Sequence, residues 1–425
     1  MSLRQPIAVI LCIVMAVALL WSKALLSITA VVLSVFAVVD IHIEPLKIRW
    51  LLTPRAVRDS IRSKPYLWVF ALFFLLYFVS GLWAGDLSEW WSLTHPKVVF
   101  LIIPLAFAFL PPFSLKEYML VVVCLIIMSF WSSVWTLVAY IEHYQLFNNM
   151  LGYGGSLPTP NGHIRFSVIT AICMILCLAF AIENLQLKYR WERIVYAFLA
   201  IWFFAFLHIL SVRTGLALGY AGLGLLTLFY LRHIAFWKKT TFLILVACIP
   251  VIAYYTIPTF TQKVNYSLYD LKQFKAGGGE SYSDSERWQS WRAGLEVGNQ
   301  HPFFGTGPGH FRESLRTHYK EVYQRDHYER PHNQFINVFT IFGILGLTVF
   351  LFTLIYPMTF PFFHDPPWIP VIYLMQILSM MVEHPLDIVV GTSMFLLLTM
   401  MGLSYQGGLF EKKKAKNDNT AINFS

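Results

Sequence analysis

The stretch Ile194–Leu231, IVYAFLAIWFFAFLHILSVRTGLALGYAGLGLLTLFYL, carries one formal charge, Arg213, near its midpoint. It is nearly twice the ~20 helical residues that cross a hydrocarbon core of ~30 Å. As one helix it would bury Arg213 at mid-bilayer, which costs ~3 kcal/mol or more. As two helices joined at Ser211-Val212-Arg213-Thr214 it places the guanidinium at headgroup depth. The second reading is the cheaper one, and it makes the stretch a transmembrane hairpin.

The same ruler applied outward gives spans near 6–22, 24–43, 67–84, 98–113, 117–141, 164–182, 194–210, 215–231, 240–257, 334–355, 369–383 and 388–405. Composition agrees: 57% of the 425 residues are hydrophobic and 13% charged, about half the ~25% charge of a soluble chain. The expected fold is an all-α membrane bundle of about twelve helices. Its parts are 1–257 (nine spans), a large loop at 258–333, three spans at 334–405 and a basic tail at 406–425.

A net charge of +9 invites a nucleic-acid reading, but the basic residues fall in short clusters between apolar runs. These are Lys47 to Lys64, Lys188 to Arg193, Arg232 to Lys239, and Lys412 to Lys416. That is the pattern of cytoplasmic loops, not the continuous basic surface that phosphate binding needs, so no nucleic-acid partner is expected. With both termini in the cytoplasm every short basic cluster falls inside. The large loop and the Glu383-His384-Pro385-Leu386-Asp387 turn then fall outside. The large loop holds ten Lys and Arg, but long translocated loops escape the rule.

All five cysteines lie in apolar segments and read as small core residues. The N-terminal apolar run is followed by Trp21-Ser22-Lys23, a poor cleavage site, and reads as a retained helix. Within the large loop, Asp284-Ser285-Glu286-Arg287 opens a capped helix that should end near Gly298. Gly277-Gly278-Gly279 before it reads as a flexible kink. A turn-rich segment, His301-Pro302-Phe303-Phe304-Gly305-Thr306-Gly307, is followed by a second helical stretch from His310 to about Tyr328.

Three residues stand out chemically. Arg213 is either a snorkelling anchor or an anion ligand where a lipid-linked phosphate would lie, since a guanidinium binds phosphate oxygens bidentately. Arg287 sits near a helix N-terminus, where a cation gains nothing from the dipole. It is a solvated charge or a second phosphate ligand, with Trp288 and Trp291 beside it as interface anchors or sugar-stacking surfaces. His332 stands where the loop re-enters the membrane; kept neutral by the following helix N-terminus, it could take a proton from an attacking sugar hydroxyl. Otherwise it is a hydrogen-bonding structural histidine. Asp284 with Glu286 reads as a helix cap rather than a divalent-metal pair. Asp86 and Glu89, beside Trp90 and Trp91, read as an interface loop rather than a catalytic carboxylate. His301, His310, His318, His327 and His332 lack zinc-ligand spacing.

Ser211-Val212-Arg213-Thr214-Gly215, Ser285-Glu286-Arg287-Trp288, the 301–307 segment, Pro331-His332-Asn333-Gln334-Phe335 and Phe342-Gly343-Ile344-Leu345-Gly346 occur in an order and topological placement that resembles the O-antigen ligase and polymerase family of bacterial inner membranes. The resemblance covers about 194–355. It implies a type C glycosyltransferase-like bundle and inverting transfer of a glycan from undecaprenyl pyrophosphate to an acceptor hydroxyl at the periplasmic face. The acceptor would be lipid A core in a ligase, a further repeat unit in a polymerase, or a protein in a sister ligase. It further implies that Arg213 and Arg287 hold the pyrophosphate and that His332, flanked by Asn333, is the base or its close partner. No cofactor and no metal are implied. A transporter would instead carry polar groups and broken helices at mid-membrane with repeat symmetry; the polar-poor spans argue against it.

Overall fold

The computed structural model describes residues 3–42, 47–230, 235–275 and 283–422. The glycine run at 277–279 lies outside the described residues, as does Arg232. Within them the chain is an all-α membrane protein with one small β-hairpin.

Helix α1 (Arg4–Trp21) and α2 (Lys23–Val38) form a hairpin capped at Ser22, whose hydroxyl accepts from Leu25 N. The second span was expected to reach residue 43 but stops at Val38. The alternation Val39-Asp40-Ile41-His42 has the period of a strand. As β1 (Val39–His42) it pairs antiparallel with β2 (Lys47–Trp50). There follow α3 (Pro54–Ser63), which buries nothing, and the short α4 (Pro65–Trp68) and α5 (Ala71–Val79). The segment of Asp86 and Glu89, expected as an interface loop, is largely helical. In it α6 (Leu87–Thr94) runs through a 3-10 turn into α7 (Val99–Phe109), giving a candidate span of 23 residues. A capping box of Ser114 and Glu117 starts α8 (Leu115–Glu142), and α9 (Tyr144–Gly152) follows. The centre of the bundle is α10 (His163–Ile182), buried on nearly every face and packed against α11 (Glu192–Leu210) and α12 (Arg213–Tyr230).

Helix α13 (Phe236–Thr256) bends by 97° into α14 (Pro258–Lys275). That second helix lies in what the sequence showed only as loop. In the rest of the large loop, α15 (Ser283–Gln300) starts where expected, and α16 (Phe311–Tyr323) ends five residues before Tyr328, at a left-handed Gln324. The last helices are α17 (Gln334–Ile355), α18 (Trp368–Ser379) and α19 (Val389–Ile422). The expected tail from 406 is thus a continuation of α19; its Glu, Lys and Ala residues are good helix formers. Seven helices among the described residues are long and apolar enough to cross a membrane, or eight if the bent α13–α14 pair is one span. The expected twelve would also need the three shorter apolar helices Lys23–Val38, Ala71–Trp83 and Trp368–Ser379, and α12, which is not among the candidate spans.

Helix α17 is broken at Gly343, whose φ of 62° and ψ of −162° leave the helical region. The 301–307 segment fills the break. Thr306 N and Gly307 N donate to the carbonyls of Thr340 and Ile341, while Ile344 N and Leu345 N donate to Pro302 and Phe303. Irregular backbone in a membrane bundle persists only where its polar groups are paired again, and here four bonds do so. A Cβ on Gly343 would stand 2.4 Å from the Phe303 carbonyl carbon, and one on Gly305 2.3 Å from that of Ile341. Two of the motifs noted in sequence are therefore halves of one lock.

The chain path sorts its connections to two ends. At one end Arg4 donates to the Ala37 and Phe109 carbonyls and Lys64 to those of Ala108 and Leu110. At the other, α14, α15, α16, the α6 region and the 383–387 turn meet: Glu89 accepts from Arg312 N, and Lys263 donates to the Gly154 carbonyl.

Candidate active site

Arg213 opens α12 after Ser211, which adopts a left-handed φ of 54°. The turn is held by Ser211 Oγ on the His208 carbonyl and by Thr259 Oγ1 on that of Ile209, 2.6 Å. Gly215 lets α12 approach α10, because a Cβ there would meet Ser167 Cβ at 2.4 Å. Arg213 Nη1 donates to Ser267 Oγ of α14 at 3.1 Å.

This turn borders a cavity of about 890 Å³ between α12, α13, α14 and α15. Its charged lining comprises Arg213, Lys263, Lys275 and Asp270, whose Oδ1 accepts from Ser285 Oγ at 2.8 Å; much of the remainder is apolar, including Leu216, Phe260 and Leu268. Ser285 and Trp288, which flank Arg287 in α15, line the same space. Thr214, the next residue of the turn, lines a second cavity of about 190 Å³ with His163, Arg165 and Glu383.

Arg287 and His332 meet at Glu383. Arg287 Nη2 donates to Glu383 Oε1 at 2.6 Å, and His332 Nδ1 lies 3.2 Å from Glu383 Oε2. Burial alone would raise the Glu383 carboxyl, but the His332 hydrogen bond and the charge of Arg287 hold it below the usual range. His163 and Arg165 line the smaller cavity together with Glu383. His332 is fixed by its backbone: its N donates to Ser290 Oγ and its carbonyl accepts from Trp291 Nε1 at 2.8 Å. The imidazole Nε2 lies 3.9 Å from Glu329 Oε2.

The remaining sequence candidates divide. Trp291 is a support for His332, while Trp288 is 62% exposed and faces the large cavity. Asn333 is a helix cap: its Oδ1 accepts from Phe335 N and Ile336 N, and its Nδ2 donates to the Met381 carbonyl. Asp86 caps α6, accepting from Ser88 N and Glu89 N, and Glu89 accepts from Arg312 N. The Asp284 side chain lies outside the described residues. Among the described residues, His332, Glu383 and His384 place ligand atoms within 4.8 Å of one another. Glu383 Oε1 is already engaged by Arg287, and a cation at this point would compete with that guanidinium.

Glu383, Lys263, Arg165 and His163 were not legible as site residues in the sequence. The Glu383-His384-Pro385-Leu386-Asp387 turn was visible as a polar interruption between two apolar runs, but nothing in its spacing tied it to Arg287 or His332.

Residues 197–351 match the family model described as O-antigen ligase. Over that stretch the chain is similar to O-antigen ligases. The stretch spans α11 to the broken α17 and so contains Arg213, Arg287 and His332, while Glu383 lies beyond it. O-antigen ligase domains are found in membrane glycosyltransferase-like enzymes, and an O-antigen ligase or polymerase type of function is supported here. No curated protein is significantly similar to the chain.

Proposed function

We propose that this protein transfers a glycan from undecaprenyl pyrophosphate to a sugar hydroxyl of lipid A core, at the periplasmic face of the bacterial inner membrane. Both termini would be cytoplasmic. The observation that carries the proposal is the junction at Glu383, which ties a guanidinium to an imidazole beside a cavity that is cationic at one part and apolar over much of the rest. Such a cavity suits a donor with a pyrophosphate head and an isoprenoid tail.

In this reading Arg213, Arg287 and Lys263 surround the pyrophosphate. Glu383 takes one of the five N–H donors of Arg287 and leaves the others for phosphate oxygens. Glu383 also holds His332 through Nδ1, which leaves Nε2 as the atom to receive a proton. The acceptor hydroxyl then attacks the anomeric carbon from the face opposite the pyrophosphate. The new C–O bond forms as the sugar–phosphate C–O bond breaks. The electron pair leaves with the pyrophosphate, the hydroxyl proton goes to His332, and the anomeric centre inverts. Fixed guanidinium groups stabilise the charge that grows on the leaving oxygen.

Deletion of the gene, with analysis of carrier-linked glycans, tests the acceptor. Ligase loss leaves long polymer on the lipid carrier and bare lipid A core. Single repeat units on the carrier would assign a polymerase instead, and intact core modification with loss of a glycoprotein would assign a protein ligase.

A further inference from the structure

We propose that Lys97 and Asp387 are positioning residues: a buried ion pair that fixes the 383–387 turn and, through it, the Arg287–Glu383–His332 junction. The inference rests on the transfer reading above. Lys97 is 3% exposed, at the junction of α6 and α7. Its Nζ donates to the Leu386 carbonyl and to the Asp387 carboxylate, and it lies 5.3 Å from the Tyr77 ring centroid. Asp387 Oδ2 accepts from Asn337 Nδ2 at 2.6 Å, and Leu386 N donates to Gln334 Oε1 at 3.0 Å. Gln334 N closes the arrangement by donating to the Met380 and Glu383 carbonyls. The turn carrying Glu383 is thus bolted at one side to Lys97 and at the other to the first turns of α17, directly after His332.

Stability alone does not account for the pair. Two charges taken out of water are seldom repaid by their attraction, and an apolar pair of similar size is often as stable. Neither residue lines the two cavities described above. What an apolar pair cannot reproduce is the set of bonds from Lys97 and Asp387 to the turn backbone and to Asn337.

The double variant K97M/D387L separates fold from position. Single variants leave an unpaired buried charge and should reduce folded yield; the double variant, which loses only the bonds to Asn337 and the turn backbone, should melt between the wild type and either single variant and keep its folded yield. Purified in detergent or nanodiscs with a polyprenyl-pyrophosphate glycan donor, it should turn over at least ~10-fold more slowly with a donor KM within ~2-fold, the signature of lost orientation. Amide exchange in the peptide 380–388 should accelerate at least ~10-fold while α10 is unchanged. Lys97→Arg, which keeps the cation, should retain most of the rate. A double variant with wild-type turnover, or with unchanged exchange in 380–388, overturns the proposal. If the wild type itself transfers nothing, the transfer reading fails, and the exchange measurement alone decides whether the pair positions the turn.

Discussion

Glu383→Gln is the sharpest single perturbation of the site, because it keeps the volume of the side chain and removes its charge. Glu383 makes two bonds, 2.6 Å to Arg287 and 3.2 Å to His332, with its side chain 14% exposed. A hydrogen bond to a charged group is worth about 1.5–3 kcal/mol, roughly twice a neutral one. Neutralising the shared acceptor therefore costs about 1.5–3 kcal/mol over the pair. The lower half of that range applies, since Arg287 is 23% exposed and partly screened. At about 1.4 kcal/mol per decade, kcat should fall ~10- to 30-fold. A glutamine can also turn its NH₂ toward Nδ1 and so favour the tautomer that puts the proton on Nε2, the atom the mechanism needs free. The estimate is thus a lower bound. Donor KM should change less, because Arg287 keeps its other donors. Single-turnover transfer with purified protein and defined donor reads the rate directly. Turnover of Glu383→Gln within ~3-fold of wild type, with folding intact, would refute the reasoning, since the carboxylate would then orient nothing that matters.

Turnover by the purified protein should survive EDTA, because guanidinium groups take the place of a metal at the pyrophosphate; loss on chelation with rescue by Mg²⁺ or Mn²⁺ would make Asp284 and Glu286, or His332, Glu383 and His384, a metal site. Stability should also depend on acid in one direction. Burial opposes ionisation of Glu383 and Asp387, but their cationic partners outweigh it and hold both carboxyls below the ordinary range. A depressed carboxylate contributes stability that is complete above its unfolded value of about 4 and is lost as pH falls through the lower folded value. Melting temperature should therefore hold from neutrality to about pH 5 and drop below about 4; Asp387→Asn should weaken that drop, and an unchanged acid limb would show that the pair is not ionised in the folded state.

The sequence made some of this legible and left the rest hidden, for reasons that can be named. Hydrocarbon thickness imposes a length, so helices appear beneath the long apolar runs, and one charge between two such runs marked the Ser211–Gly215 turn. Helix α14 was hidden because its polar and apolar residues alternate at a helical period across a segment too polar to span a membrane. The early stop of α2 depended on a four-residue strand period within an apolar run. The contact between His301–Gly307 and the break at Gly343 is a tertiary fact about backbone approach; sequence displays its glycines but not their partner. Glu383 escaped for a similar reason. It lies 51 residues beyond His332, brought to it by the packing of α17 against the 383–387 turn. Long-range polar junctions leave no period in a chain.

The central claim is a division of labour: the arginines hold the donor pyrophosphate, and His332 acts on the acceptor. Donor binding measured beside transfer tests it most directly, using a polyprenyl-pyrophosphate glycan and the variants Arg213→Ala, Arg287→Ala and His332→Ala. Removing one charge-assisted donor to a developing oxyanion typically costs ~10²–10³ in rate, and lysine should rescue poorly for want of a fork. Both arginine variants should lose donor affinity and transfer together, while His332→Ala should bind donor within ~3-fold of wild type and transfer almost nothing. Loss of donor binding in His332→Ala, or full binding in both arginine variants, would contradict it.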